Sequence, residues 1–277
     1  MKPAPFTYLR PDTVAEAVAA LAEHGSGARV LAGGQSLVAM LNFRLVQPEA
    51  LIDISRLEEL KSIDLRDGAI EVGAAVTQSE FLNWPGLREH APFIAKALPW
   101  VGHFQTRNRG TVCGSICHAD PSSELPLCLA LLDGEVVLRS SFGERRLKAS
   151  EFQEGLLRTA RQDDELVTAV RFPVGVGADG AAFREVARRH GDFAIVAIGA
   201  VASEAGCVRC AIGGVADTPI CFEIGPDMPL SEVSDRVNRL AWELGGYDDI
   251  HASARYRRDL VRRIAPQLIS EVRACAA

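Results

Sequence analysis

The sequence predicts an α+β fold. Three observations carry that expectation: short apolar runs that end in glycine pairs, capping boxes that open helices between them, and two charged helical stretches near the end. The first helix opens with Thr13-Val-Ala-Glu16 as a capping box, places Val14, Val18 and Leu21 on one face, and stops near Gly25 and Gly27. An apolar stripe of that kind needs a sheet to pack against. Arg29-Val-Leu-Ala32 reads as a short buried strand running into Gly33-Gly34, after which residues 36–41 begin a helical turn. Strands are expected again at Leu51-Ile-Asp-Ile54 and over 69–76, and Thr77-Gln-Ser-Glu80 is a second capping box opening a short helix. An apolar helix over 125–132 stops at Asp133-Gly134, and strand structure resumes at Glu135-Val-Val-Leu138 and continues toward Phe172-Pro173. The glycine-rich stretch 174–180 is the expected linker, dividing the chain into 1–174 and 175–277. Beyond it come strands over 194–201 and 208–213 and helical stretches near 231–245 and 252–274, with no internal repeat or low-complexity tract.

Composition narrows the function classes. At 277 residues, with 48% hydrophobic and 24% charged, the chain suits one large or two modest globular domains. The net charge of −6 is spread along the chain, so there is no basic stripe for nucleic-acid phosphates, and nucleic acid is not an expected partner. Residues 1–10 lack the apolar core of a secretory signal, and no stretch reaches roughly 18 uninterrupted apolar residues, so the expectation is a cytoplasmic protein without a membrane span. The seven cysteines, at 113, 117, 128, 207, 210, 221 and 275, are odd in number and expected to be reduced. Cys207-Val-Arg-Cys210 has the gap of a metal pair, but no second pair accompanies it and its interior reads as strand. No set of four closely spaced cysteines is available for an iron–sulfur cluster, and no metal site is expected.

Two stretches carry candidate chemistry. Leu31 and Ala32-Gly-Gly-Gln-Ser-Leu37 offer consecutive backbone N–H groups with little side-chain obstruction, so that a pyrophosphate could approach the main chain near Gly33, Gly34, Gln35 and Ser36. Paired glycines after a strand also make ordinary tight turns. The second stretch, Arg109-Gly-Thr-Val-Cys-Gly-Ser-Ile-Cys-His-Ala-Asp-Pro-Ser-Ser-Glu-Leu-Pro126, reads as a long ordered loop between apolar elements. Thr111 and Ser115 hydroxyls could hold phosphate or ribose oxygens, and Asp120 or Glu124 could accept from ribose hydroxyls or an adenine amine. Helix capping by Ser122 or Ser123 and a turn at Asp120-Pro121 are the alternative reading of the same residues.

Together the two stretches resemble the FAD-binding medium subunits of the xanthine dehydrogenase and carbon monoxide dehydrogenase family of molybdenum hydroxylases. The likeness covers nearly the whole chain: Phe6-Thr-Tyr-Leu-Arg-Pro11, Ala32-Gly-Gly-Gln-Ser-Leu37, Phe43-Arg44 with Pro48, Leu51-Ile-Asp-Ile54, Arg107-Asn-Arg-Gly-Thr-Val112, Ala119-Asp-Pro-Ser-Ser-Glu-Leu-Pro126, Asp164-Glu165-Leu166, Arg188-Arg-His-Gly-Asp-Phe193 and Ala252-Ser-Ala-Arg-Tyr-Arg-Arg258. The resemblance implies a two-part FAD-binding domain of the vanillyl-alcohol-oxidase (PCMH) type over 1–174 and a smaller α+β domain over 175–277. It implies that main-chain groups of the segment 32–37 and of the segment 111–115, including Cys113 and Gly114, meet one diphosphate from two sides. Glu124 would be a ribose or adenine contact, with Ala160 and Arg184 approaching the adenine or flavin. It further implies a large molybdenum-cofactor partner and a small [2Fe-2S] partner, with this chain's FAD passing electrons to an external acceptor.

The sequence departs from the family's Thr-Val-Gly-Gly-Asn loop: Cys113 stands for the first glycine and Ser115 for the asparagine. If residue 113 needed positive φ, the change would cost roughly 1 to 2 kcal/mol, about a tenfold loss of FAD affinity. Cys113 also stands as a candidate redox or packing thiol, and His118 as a candidate phosphate partner. A self-sufficient flavoprotein oxidase and an assembly module with weak flavin binding are the rival readings. The Arg255-Tyr-Arg-Arg258 and Arg262-Arg263 runs read either as a solvated basic face or as a partner-docking surface.

Overall fold

The computed structural model describes residues 2–178, 180–202 and 206–276. Met1, in the amino-terminal segment read above, and Asp179, in the expected linker, lie outside them. The first layer is a parallel sheet. Thr7–Leu9 (β1) and Ala28–Leu31 (β2) flank Ala50–Asp53 (β3), which is buried at all four positions, as a central parallel strand covered on both faces must be. Between β1 and β2 runs Val14–His24 (α1), whose buried face is Val14, Ala17, Val18 and Leu21. Thr13 accepts from the Glu16 N–H as expected, while the Glu16 carboxylate reaches back to Asp12 N instead of closing the box on residue 13. The short helix Leu37–Asn42 (α2) leads from β2 toward β3.

The second layer is antiparallel, in the order β4-β5-β10-β6-β7. Ile63–Arg66 (β4) and Ala69–Gly73 (β5) form a hairpin, and Gln78–Leu82 (α3) follows with a complete Thr77–Glu80 capping box. Leu87–His90 (α4), Pro92–Ala97 (α5) and Phe104–Arg107 (α6) lead to Val112–His118 (α7) and Glu124–Leu131 (α8). Glu135–Ser140 (β6) and Gly143–Lys148 (β7) return as a hairpin, then come Ala149–Phe152 (α9), the small hairpin Gln153–Gly155 (β8) with Arg158–Thr159 (β9), and the central strand Leu166–Pro173 (β10). The stretch read as one long loop over 109–126 is thus two helices joined by a turn. Its glycine and small residues hide α7 from a periodicity reading, because they remove the apolar stripe that marks a helix.

The remainder is a four-stranded antiparallel meander, Ala181–Val186 (β11), Val196–Ala202 (β12), Val208–Gly213 (β13) and Ile220–Ile224 (β14), covered by Leu230–Glu243 (α10) and Ala254–Ala276 (α11). One hydrophobic core fills the space beneath the first two sheets and reaches Phe183, Ala197 and Ala211 of the meander. A second core lies between the meander and α10 and α11. The meander is therefore apolar on both faces, which fixes it against the first part of the chain. Among the described residues no helix is long and apolar enough to cross a membrane, and no cluster of three or more His, Cys, Asp or Glu side chains could hold a metal ion. Cys207 and Cys210 fall at the start of β13, with Cys210 buried in the second core.

Candidate functional site

The two glycine stretches meet backbone to backbone. At Gly33 a β-carbon would lie 2.1 Å from Arg109 O and 2.7 Å from Gly110 Cα, so only glycine lets the segment after β2 lie against the segment before α7. Gly34 then turns the chain with φ +73° into α2. The partner segment is fixed by α3. Gln78 N donates to Gly110 O (2.8 Å), Val112 N donates to Val76 O (3.1 Å), and Thr77 and Thr111 form an isolated antiparallel bridge. Thr111 caps α7 by accepting from Gly114 N at 3.0 Å, and Ser115 N donates to Thr111 O.

These segments form the walls of a cavity of about 1000 Å³, at the upper end of the size found for small-molecule and cofactor sites. Ala32, Gly33, Gly34, Gln35, Ser36 and Leu37 line one side; Thr111, Cys113, Gly114, Ser115 and Glu124 line the other. Four expected contacts are not in the wall. Leu31 ends β2 beside it, and Asp120 turns its Oδ1 to cap Ser122 N at 2.8 Å. Ala160 donates its N–H to Phe152 O and accepts from Arg145, and Arg184 points away from the core to pair with Glu271 at 3.0 Å. Strand alternation explains Arg184: along β11 Phe183 and Glu185 point inward, which turns the residue between them outward.

Other residues enter the wall without having shown in the sequence. Gln78 is buried; its Nε2 donates to Thr111 O while its Oε1 has no partner, an orphaned acceptor in the cavity lining. The β8–β9 hairpin brings Leu157, Arg158, Thr159 and Arg161 to the cavity, because Leu157 N donates to Ala119 O at the left-handed end of α7. The meander closes the site from a third side with Gly191, Asp192 and Phe193. Gly191 (φ +85°) lies so close to His103 that a β-carbon would come within 2.7 Å of its ring.

Cys113 needs no glycine. It occupies the first turn of α7, it is absent from the positive-φ positions, and its thiol points into the core toward Val72 O. The expected strain at this position is therefore corrected: α7 is right-handed there, and a cysteine fits. Burial pushes the Cys113 thiol well above its ordinary range, and burial lifts Cys117 to about 11 against the opposing pull of Arg161, so neither supplies a thiolate at neutral pH. Cys113→Gly is expected to lower stability by about 1 kcal/mol, the usual cost of glycine in a helix, without tightening flavin binding; a denaturant midpoint and an FAD titration of the two proteins check this. Burial lowers His118 against the opposing pull of the Asp120 carboxylate, which favours a neutral ring in the lining.

The lining fits a dinucleotide: close main-chain approach at Gly33, the arginines Arg29, Arg158 and Arg161, the unpaired buried amide oxygen of Gln78 and the carboxyl group of Glu124. Residues 4–175 match the family profile described as FAD binding domain in molybdopterin dehydrogenase. The chain belongs to this family of FAD-binding subunits of molybdenum hydroxylases. These subunits are parts of oxidoreductases, and their cofactor is FAD. Among the relatives, caffeine dehydrogenase subunit beta of Pseudomonas sp. (strain CBB1) is 38% identical over 83% of this chain and 83% of its own length. The carbon monoxide dehydrogenase medium chain of Hydrogenophaga pseudoflava is 33% identical over 81% of this chain and 80% of its own. Quinoline 2-oxidoreductase from Pseudomonas putida 86 contains a chain that superposes with a TM-score of 0.92 at 32% identity, covering 100% of this chain and 99% of that one. The α+β architecture of this flavin-binding subunit is thus shared by a solved relative across the full chain.

The basic runs of the last helix are divided: Arg255, Arg262 and Arg263 are exposed, whereas Arg257 is not. Arg257 is 1% exposed and wholly interior, donating to Ile195 O and Gly214 O and pairing with Asp249 at 2.6 Å. Arg258 lies over the Trp242 ring, and Arg262 pairs with Asp259.

Proposed function

We propose that this chain is the electron-transferring flavin subunit of a molybdenum hydroxylase complex, receiving electrons from [2Fe-2S] clusters on a small partner and delivering them to an external acceptor. Substrate oxidation would then belong to a large molybdenum-cofactor partner. The observation that supports this reading best is the backbone contact of Gly33 with Arg109 and Gly110, which builds one cavity wall from two distant segments. FAD, when bound, supplies the redox chemistry. The chain's residues bind and orient it. The segments 32–37 and 111–115 present main-chain and hydroxyl groups, Arg158 and Arg161 offset phosphate charge, Gln78 Oε1 accepts from an N–H of the cofactor, and Glu124 meets a hydroxyl or amine. Leu31, Asp120 and Ala160 would act by holding the wall in place. The division of labour would follow the chain: 1–174 as the flavin-binding part and 175–277 as the part that closes it with Gly191, Asp192 and Phe193. Two names among the relatives, a medium chain and a subunit beta, fit a subunit that works in a complex.

The test is anaerobic. The FAD-loaded chain is mixed with its [2Fe-2S] partner chain, reduced beforehand and freed of excess dithionite, and the flavin absorbance is followed. The band is expected to bleach on mixing with the reduced partner and to remain when the loaded chain is mixed with the oxidised partner. A flavin that stays oxidised in contact with the reduced partner contradicts the relay.

A further inference from the structure

Two glutamates meet inside the protein where α8 crosses β11. Glu124, the first residue of α8, is 6% exposed and lines the cavity; Glu185 on β11 is 8% exposed and lies behind it. Both carboxylate oxygens of Glu185 are buried, and no donor reaches either of them; the group that its side chain meets is the Glu124 carboxyl. Two carboxylates in such contact resist being ionised together, whereas one proton between them gives Glu185 the hydrogen bond that it otherwise lacks.

The surroundings supply one opposing charge to Glu124 and no donor to Glu185. Within the sheet Glu185 is paired with Ala197 of β12. Arg107 of α6 opposes the upward shift of Glu124 through its charge, while its Nη1 donates to Val101 O and Gly102 O at 2.9 and 2.8 Å. Asp120, in the turn before α8, adds a like charge, and Cys128, one turn along α8, is a buried thiol that stays neutral. Burial, then the Asp120 charge, lifts Glu124 to about 7 against its backbone hydrogen bond and the hydrogen bond from Glu185, while burial, then Glu124, lifts Glu185 to about 8.

We propose that Glu185 is a positioning residue that holds one proton and donates it in a hydrogen bond to the Glu124 carboxylate, so that the pair presents one negative charge to the cavity, and not two, beside a dianionic diphosphate. The proposal rests on the flavin reading of the cavity. It makes FAD affinity proton-linked, since raising the pH removes that proton and leaves two negative charges in the cavity wall where there was one.

Two readouts test it, one with FAD and one without. In equilibrium titrations of the full chain, the FAD Kd is expected to rise about tenfold, the effect of one pKa unit of coupling, as pH goes from about 6 to about 9. Glu185→Gln keeps the shape and the donor to Glu124 but cannot titrate; it is expected to bind FAD as the unchanged chain does at the lower pH and about tenfold more tightly than it at the higher, with a flat profile between. Without FAD, the infrared C=O band of a protonated carboxyl is expected at neutral pH in the unchanged chain and is expected to disappear in Glu185→Gln. If that variant does not fold, Glu124→Gln is read by the loss of its infrared band and the flatness of its FAD profile alone, because Glu124 itself lines the cavity. Thermal stability gives the same sign: the folded pair keeps a proton that the unfolded chain gives up above its ordinary glutamate range, so the melting temperature falls as pH rises through about 7 to 8. A flat FAD profile in the unchanged chain, or a rise that survives Glu185→Gln, overturns the positioning role; a missing carboxyl band overturns the shared proton. Failure to bind FAD at any pH overturns the flavin reading and the positioning role with it, while the infrared band still decides whether the proton is shared.

Discussion

Replacing Gly33 with alanine is expected to strip the protein of FAD. The new methyl would sit 2.1 Å from Arg109 O and 2.8 Å from Arg109 C, both backbone atoms that no rotamer change can move aside. The segment 109–111 is held from behind by Gln78 N and Val76 O, so the clash is relieved only by pushing the 32–37 segment outward, into the space a diphosphate needs. Overpacking against backbone costs about 3 kcal/mol, which on the flavin side is roughly a hundredfold in Kd. The measurement is the ratio of flavin to protein absorbance after purification, followed by titration with added FAD. A Gly33→Ala protein that carries the same flavin content as its parent would show that the contact between the two stretches does not shape the site.

Arg257→Met is expected to be the most destabilising single change in the second core, by about 3 to 5 kcal/mol, and to loosen the cavity wall at a distance. The guanidinium joins Ile195 O, Gly214 O and Asp249 Oδ2 and lies 4.5 Å from the centre of the Tyr247 ring. Methionine fills similar volume but leaves two buried carbonyls without a donor. Ile195 lies two residues past the 191–193 segment that closes the cavity, so its release loosens Gly191 from its seat against His103. Urea unfolding reads the stability, and hydrogen exchange of the Ile195 and Val196 amides reads the loosening. Arg257→Lys is expected to recover little, because a single ammonium cannot span three acceptors in the plane of the guanidinium fork.

Much of this was legible in the sequence where a local rule and the tertiary demand agree. The Thr77–Glu80 capping box, the buried face of α1 and the strand ending at the Gly33-Gly34 pair each follow from spacing of a few residues, and the fold keeps them. Family motifs, not periodicity, joined the two glycine stretches across the chain. What escaped was set by contacts between distant segments. Gln78 looks like any polar residue in the first turn of a short helix until its neighbours at 110 and 111 are known. Helix α7 is concealed by its small residues, and with it the right-handed backbone that lets Cys113 replace glycine without strain. Arg184 is turned away from the cavity that the resemblance assigned it to, because the alternation along β11 points its neighbour Glu185 inward instead. Arg257 reads as one of several surface arginines, although it is the interior one that ties α11 to the cavity wall.

One measurement bears most directly on the central claim that the cavity between the two glycine stretches holds the flavin. The flavin-free chain and its Gly33→Ala variant are titrated with FAD, following the quenching of flavin fluorescence. Saturable uptake of one FAD per chain by the parent, and uptake weaker by roughly a hundredfold in the variant, is the predicted result. No saturable uptake by the parent, or equal uptake by both proteins, would contradict it.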